Sequence, residues 1–156
     1  MSLRTAFVVT LALMAVPPAA PALADDSALV TKKSPYSVAE TLDRFTQIIT
    51  GKGLTVFARI DHAAGAEKVG QMLAPNTVLV FGNPKVGTPL IQANPQVGLS
   101  LPLKLLAYED ADGQVWLAYL SPHALKTAYG LEGKDGALDN VAKALANLTD
   151  AAVKAN

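Results

Sequence analysis

Asn83, Lys85 and Thr88 stand within six residues of one another, between Gly82 and Pro89. An amide, an ammonium and a hydroxyl gathered at one chain corner suit a small polar or anionic ligand. Backbone N–H groups at a helix start attract negative charge, and a lysine adds to the field. Gln92 follows about one helical turn later and brings a second amide. His62, directly after Asp61, is the side chain best suited to acid–base work, and Lys85 would be its electrostatic partner. These residues also have a plainer role. Gly82 and Gly87 permit tight turns, Pro84 and Pro89 stiffen them, and Asn83 and Thr88 then satisfy local backbone groups. Asp61 caps a helix in that reading and leaves His62 half-exposed beside it.

Several chemistries are excluded by what the chain lacks. It has no cysteine, so a thiol nucleophile and a disulfide framework are both absent. No G-x-S-x-G elbow and no G-K-[ST] phosphate loop occurs. Two histidines, His62 and His123, supply a metal site poorly, and there is no C-x-x-C-H haem attachment, so neither metal nor cofactor is expected. His123 reads as a surface residue. Asp110-Ala111-Asp112-Gly113 echoes a calcium loop, but its closing glutamate is missing and a hairpin turn fits better. Thirteen basic and thirteen acidic residues give a formal net charge of zero, which offers no field for nucleic acid.

The elements that must position the corner follow from periodicity. Leu29–Ser34 is a short lysine-bearing strand. Ser37-Val38-Ala39-Glu40 is a capping box, followed by Val38, Leu42, Phe45, Ile48 and Ile49 at helical spacing. Leu54–Ile60 alternates as a strand, and a short helix is expected from about Gly65 to Leu73 with Val69, Met72 and Leu73 on its apolar face. Thr77–Phe81 is apolar enough to be a central strand. Thr88-Pro89 reads as the start of the next helix, which Asn94-Pro95 ends. Leu103–Glu109 and Gln114–Leu120 form a hairpin. Ser121-Pro122 opens a helix stopped by Gly130, and Leu138, Val141, Leu145, Leu148 and Ala152 mark an amphipathic C-terminal helix. The class is α+β: a mixed sheet of about five strands, including the C-terminal hairpin, covered by helices.

The first residues belong to targeting rather than to this domain. Arg4, the apolar run Ala6–Val16, a proline break and Ala22-Leu23-Ala24 make a leader cleaved after Ala24. Residues 1–24 are thus read as a signal peptide, 25–35 as a lead-in with a strand, and 36–156 as one domain. The expected location is the periplasm or the exterior, with no stable membrane anchor once the leader is removed.

Ile60–Ala66, then Phe81–Leu90, then Leu101-Pro102-Leu103-Lys104 with the Glu109-Asp110…Gly113…Val115-Trp116 hairpin resemble the bacterial domain-of-unknown-function family 302. The resemblance runs from about Tyr36 to Leu131. It implies a compact α+β domain, often a stand-alone exported protein, and imports no reaction. Three functions stay open: a binding domain with its site at Asn83, Lys85, Thr88, Gln92 and His62; an enzyme using His62; and a structural protein that self-associates as a homodimer, exposing Leu138, Val141, Leu145 and Leu148.

Overall fold

The computed structural model describes residues 28–155. The leader read from residues 1–24 lies outside the described residues. Strand β1, Leu29–Ser34, leads into helix α1, Val38–Thr50. The Ser37 half of the capping box forms: Ser37 Oγ accepts the Glu40 N–H at 3.2 Å. Val38, Leu42, Phe45 and Ile49 are buried along one stripe, with Ile48 partly so. The C-cap glycine, Gly51, ends the helix before β2, Thr55–Asp61.

Helix α2 spans His62–Glu67 and not the expected 65–73. Asp61 caps it, with Oδ1 accepting the Ala64 N–H at 3.0 Å, so the helix begins three residues early. It stops early because Gly70 adopts a left-handed conformation and Pro75 lies close behind. Val69, Met72 and Leu73 are consequently exposed rather than forming a helix face.

β3, Asn76–Gly82, is an interior strand, paired on both sides, and Thr77, Leu79 and Phe81 alternate inward; the middle strand of the sheet is β4. Helix α3, Pro84–Ala93, follows, with a 3₁₀ turn at Pro95–Leu99. Its cap is Asn83, not Thr88. Asn83 is extended and its side chain accepts the Lys85 N–H, while Pro84 takes the first helical position that suits its fixed φ. Pro89 falls inside the helix, where its missing N–H costs one helical bond.

β4, Leu103–Glu109, and β5, Val115–Leu120, make the expected hairpin. Asp110 organises its turn: Oδ1 accepts the N–H groups of Asp112 and Gln114, and Oδ2 accepts Trp116 Nε1–H at 2.6 Å. The chain closes with α4, Pro122–Tyr129, and α5, Asp135–Val153.

The sheet order is β1-β5-β4-β3-β2. The α+β class, the five strands and the hairpin are as read from the sequence. The mixed pairing is not: all four strand pairs are antiparallel. A parallel neighbour needs a crossover. Here only α1 crosses, carrying the chain from edge strand β1 to edge strand β2. The links through α2 and through α3 lie between strands that simply reverse. β1, placed in the lead-in, pairs with β5 over six residues and belongs to the same sheet.

Helices α1 and α5 cover one face. Phe45 meets Phe81 edge-on at 5.0 Å between ring centroids, and Leu145, Leu148 and Ala152 complete that core. Ser34 Oγ and Thr41 Oγ1, both buried, satisfy each other at 2.6 Å. Lys32 reaches from β1 to α5, donating to the Ala146 carbonyl and pairing with Asp150. Of the α5 residues read as a self-association face, Leu138, Leu145 and Leu148 are core, while Val141 is half-buried and lines a cleft beside α3.

The Trp116 bond gives a pH prediction. That bond, with the backbone donors, holds the Asp110 carboxyl below the usual carboxylate range. A depressed folded value means the bonds contribute above the unfolded value of about 3.9 and are lost as pH falls through the folded one. Trp116 is the chain's sole tryptophan. Its fluorescence should therefore stay constant down to about pH 3.9 and change only below, with helix content followed in parallel by circular dichroism. A midpoint at or above that value would contradict the bond. Asp110→Asn should remove the step.

Candidate functional site

The corner after β3 opens onto a cleft of about 220 Å³. One wall is the corner itself, Gly82, Asn83, Pro84, Val86 and Gly87, with Thr88, Leu90 and Ile91 along α3. Phe57, at a bulge in β2, forms a second wall. Leu101, Pro102 and Leu103 form a third, and Pro122, Leu125, Leu138 and Val141 of α4 and α5 form the floor. Asn83 and Thr88 alone among these lining residues carry polar side chains. A Cβ at Gly82 would stand 3.5 Å from Pro102 and 3.8 Å from Phe57, ordinary contact distances, so these two walls close on the corner without excluding a methyl group.

The walls are held by bonds remote in sequence. Leu90, Val97, Leu125, Leu131 and Leu138 form a second buried cluster beneath the cleft. Asn94 Nδ2 donates to the Tyr129 carbonyl at 2.7 Å, while its Oδ1 accepts the Gln96 N–H. Ser100 Oγ and Tyr129 OH lie 2.6 Å apart. These bonds pin α3 and the 3₁₀ turn to α4. On the outer side of α4, Lys126 Nζ donates to Asp135 at 2.5 Å, which lowers the Asp135 carboxyl and raises the Lys126 amine.

Residues 30–152 match the family described as Domain of unknown function DUF302. The chain belongs to the DUF302 family. A crystal structure of an uncharacterized conserved DUF302 protein from Bacillus stearothermophilus has the same fold, with a TM-score of 0.74 at 20% identity over 81% of this chain and 98% of that one. Two curated relatives are each named Fluoride-specific ion channel FluC 1. The one from Brucella suis biovar 1 (strain 1330) is 44% identical over 106 residues, which is 68% of this chain and 42% of that protein. The one from Brucella abortus biovar 1 (strain 9-941) matches at 44% over 106 residues, 39% of its length. This DUF302 chain thus spans about two-fifths of the length of these relatives. Among its described residues, no helix is long and apolar enough to cross a membrane.

The site residues named from the sequence separate in the DUF302 fold. Asn83 and Thr88 line the cleft. Asn83 is also the helix cap, which is the local backbone role read for it from the sequence. Lys85 is exposed between two lining residues, Pro84 and Val86, and Gln92 is exposed further along α3. His62 is not brought to them. It is exposed at the start of α2, after Asp61, which pairs with Thr77; Gly82 pairs with Thr55. Thr77 and Gly82 are separated by about 17 Å of strand. Antiparallel pairing sends the ends of successive strands to opposite ends of the sheet, which is why two strand-end residues do not meet. His123 is likewise exposed and lies 3.6 Å from Asp139. No cluster of metal-ligating side chains occurs among the described residues. The apolar walls went unread because they come from Phe57, Leu101 to Leu103, Leu125, Leu138 and Val141, dispersed over 85 positions of sequence (57 to 141). The leucines repeating at every second position from Leu99 to Leu105 are the one local signal.

Proposed function

We propose that this protein is a ligand-binding domain of the bacterial cell envelope, whose cleft takes the apolar segment of an amphipathic molecule. Its polar or anionic end would sit at the start of α3, beside Asn83, Lys85 and Thr88. The observation that carries this reading is the composition of the cleft: apolar walls drawn from five separate chain segments, with its two polar side chains together on one of them. At about 220 Å³ the cleft is smaller than the roughly 300–1,000 Å³ typical of sites enclosing drug-sized molecules. It suits a slender segment such as a short acyl chain. Export is supported by the leader pattern of residues 1–24. The Brucella relatives contribute a membrane setting through their name, and ion conduction is not carried over to this chain. Acid–base chemistry at His62 gains no support, because that residue stands apart from the cleft.

The test is a titration with anilinonaphthalene sulfonate, an apolar ring system bearing one anionic group, followed by displacement with decanoate. Saturable one-site binding reversed by decanoate is expected. Lys85→Ala should weaken it several-fold with an unchanged thermal midpoint, since Lys85 is exposed. Absence of saturable binding, or wild-type affinity retained in both Lys85→Ala and Phe57→Ala, would refute the reading.

A further inference from the structure

The large apolar side chains that remain exposed divide between the two ends of the sheet. Leu29, Phe57, Val86, Ile91, Leu99 and Leu120 gather at the cleft end; Ile60, Val69, Met72 and Leu73 gather at the other. Strand register fixes the assignment. Leu29 pairs with Leu120, Thr55 with Gly82 and Phe81 with Leu103, so these strand ends share one edge of the fold. Asp61 pairs with Thr77 and Asn76 with Tyr108 at the opposite edge. Leu99 is 81% exposed and Leu120 56%, and both border a small depression of about 90 Å³ that Lys104 also lines.

Charge separates the two ends. From Lys68 to Tyr108 the sequence has no aspartate or glutamate. The rim built from β3, α3, the 3₁₀ turn and β4 therefore carries only Lys85 and Lys104. The carboxylates on the α4–α5 side of that end, Glu132, Asp135 and Asp139, each face Lys126 or His123. The far end presents Asp61, Glu67, Glu109, Asp110 and Asp112 against Lys33 and Lys68, so carboxylates still outnumber amines there. The chain also enters the fold at the cleft end: the Ala28 carbonyl accepts the Ser121 N–H.

We propose that the cleft end is a membrane-docking surface for anionic lipid, with Leu99 and Leu120 entering the headgroup boundary and Lys85 and Lys104 meeting lipid phosphates. Exposed leucines flanked by lysines are the combination that holds a protein at such an interface. The acidic far end is repelled by the same surface, so the charge pattern selects one orientation. This surface does not require the cleft to be occupied, and its test is separate from the probe titration.

The experiment is co-sedimentation of the exported protein, purified from the periplasm of an expressing bacterium, with vesicles of phosphatidylethanolamine and phosphatidylglycerol or of phosphatidylcholine alone. Binding to the anionic vesicles that falls with added salt is expected. The double variant Leu99→Ser/Leu120→Ser should weaken it by about tenfold or more, and Lys104→Glu by a similar factor. Val69→Ser/Met72→Ser, at the far end, should leave it unchanged. Failure of the wild type to bind anionic vesicles overturns the proposal, as does equal loss in the far-end variant. A solution dimer that Leu99→Ser/Leu120→Ser dissociates also overturns it, and names a second copy as the occupant.

Discussion

Phe45→Ala is expected to destabilise the domain by about 3–5 kcal/mol, the range for removing a fully buried aromatic ring. Phe45 has no exposed surface and lies where α1 crosses the sheet, edge-on to Phe81. Truncation removes that ring pair and leaves a cavity between Leu42, Ile49 and the inner face of β3 and β4. The surrounding side chains, themselves buried and packed by α5, can collapse into it only in part. A domain of this size has about 5–15 kcal/mol in total, so a loss of about 3–5 kcal/mol is at least roughly a fifth of its stability. Urea unfolding should show a lowered midpoint with an unchanged slope, and the thermal midpoint should fall by about 10–20 °C. Phe57→Ala is the matched control. Phe57 is about half exposed at the cleft mouth, so the same truncation there should cost little stability. A loss below about 1 kcal/mol for Phe45→Ala would mean that α1 does not seal the core.

That contrast shows what was legible in the amino-acid sequence. Phe45 could be placed in the core because Val38, Leu42 and Ile49 share its helical stripe, and Ser37 and Glu40 mark where the helix begins. Periodicity is a local signal, and it identified α1, α5 and the β4–β5 hairpin. Strand direction is not local. Thr77–Phe81 is as apolar as a parallel central strand, but its neighbours run antiparallel, because two helical links fit at strand ends without crossing the sheet. Val69, Met72 and Leu73 have helical spacing and point to a helix over 65–73, but the left-handed Gly70 and the Asp61 cap outweigh it and set α2 at His62–Glu67. At the corner, Thr88-Pro89 and Asn83-Pro84 are both capping dipeptides. Asn83 takes the role because it follows the last strand residue directly, so α3 starts one turn sooner.

The site was legible as a place and not as a chemistry. Glycines and prolines around Asn83 announce a corner, and the cleft opens there. Its apolar character comes from side chains that only the folded chain assembles. His62 illustrates the same limit from the other side: adjacency to a strand end is visible in sequence, and which end of the sheet that is depends on register.

Gly87 offers the sharpest way to separate the cleft from the fold that builds it. It lies within α3 and lines the cleft; a Cβ there would meet Leu101 Cδ1 at 3.8 Å, an ordinary contact. Its φ is not among the positive ones, so a side chain brings no backbone strain. Replacing a helical glycine by alanine is worth up to about 1 kcal/mol. Gly87→Ala should therefore raise the thermal midpoint slightly and leave most of the cleft open. Gly87→Leu projects three more carbons into the same space, beside Leu101. Its fold should remain at least as stable as the wild type, while anilinonaphthalene sulfonate affinity falls by about a hundredfold, equivalent to about 2.7 kcal/mol. Stability and binding then move in opposite directions, a result that general damage to the fold cannot produce. Undiminished probe binding in a folded Gly87→Leu protein would place the ligand elsewhere on the molecule and remove the cleft from the argument.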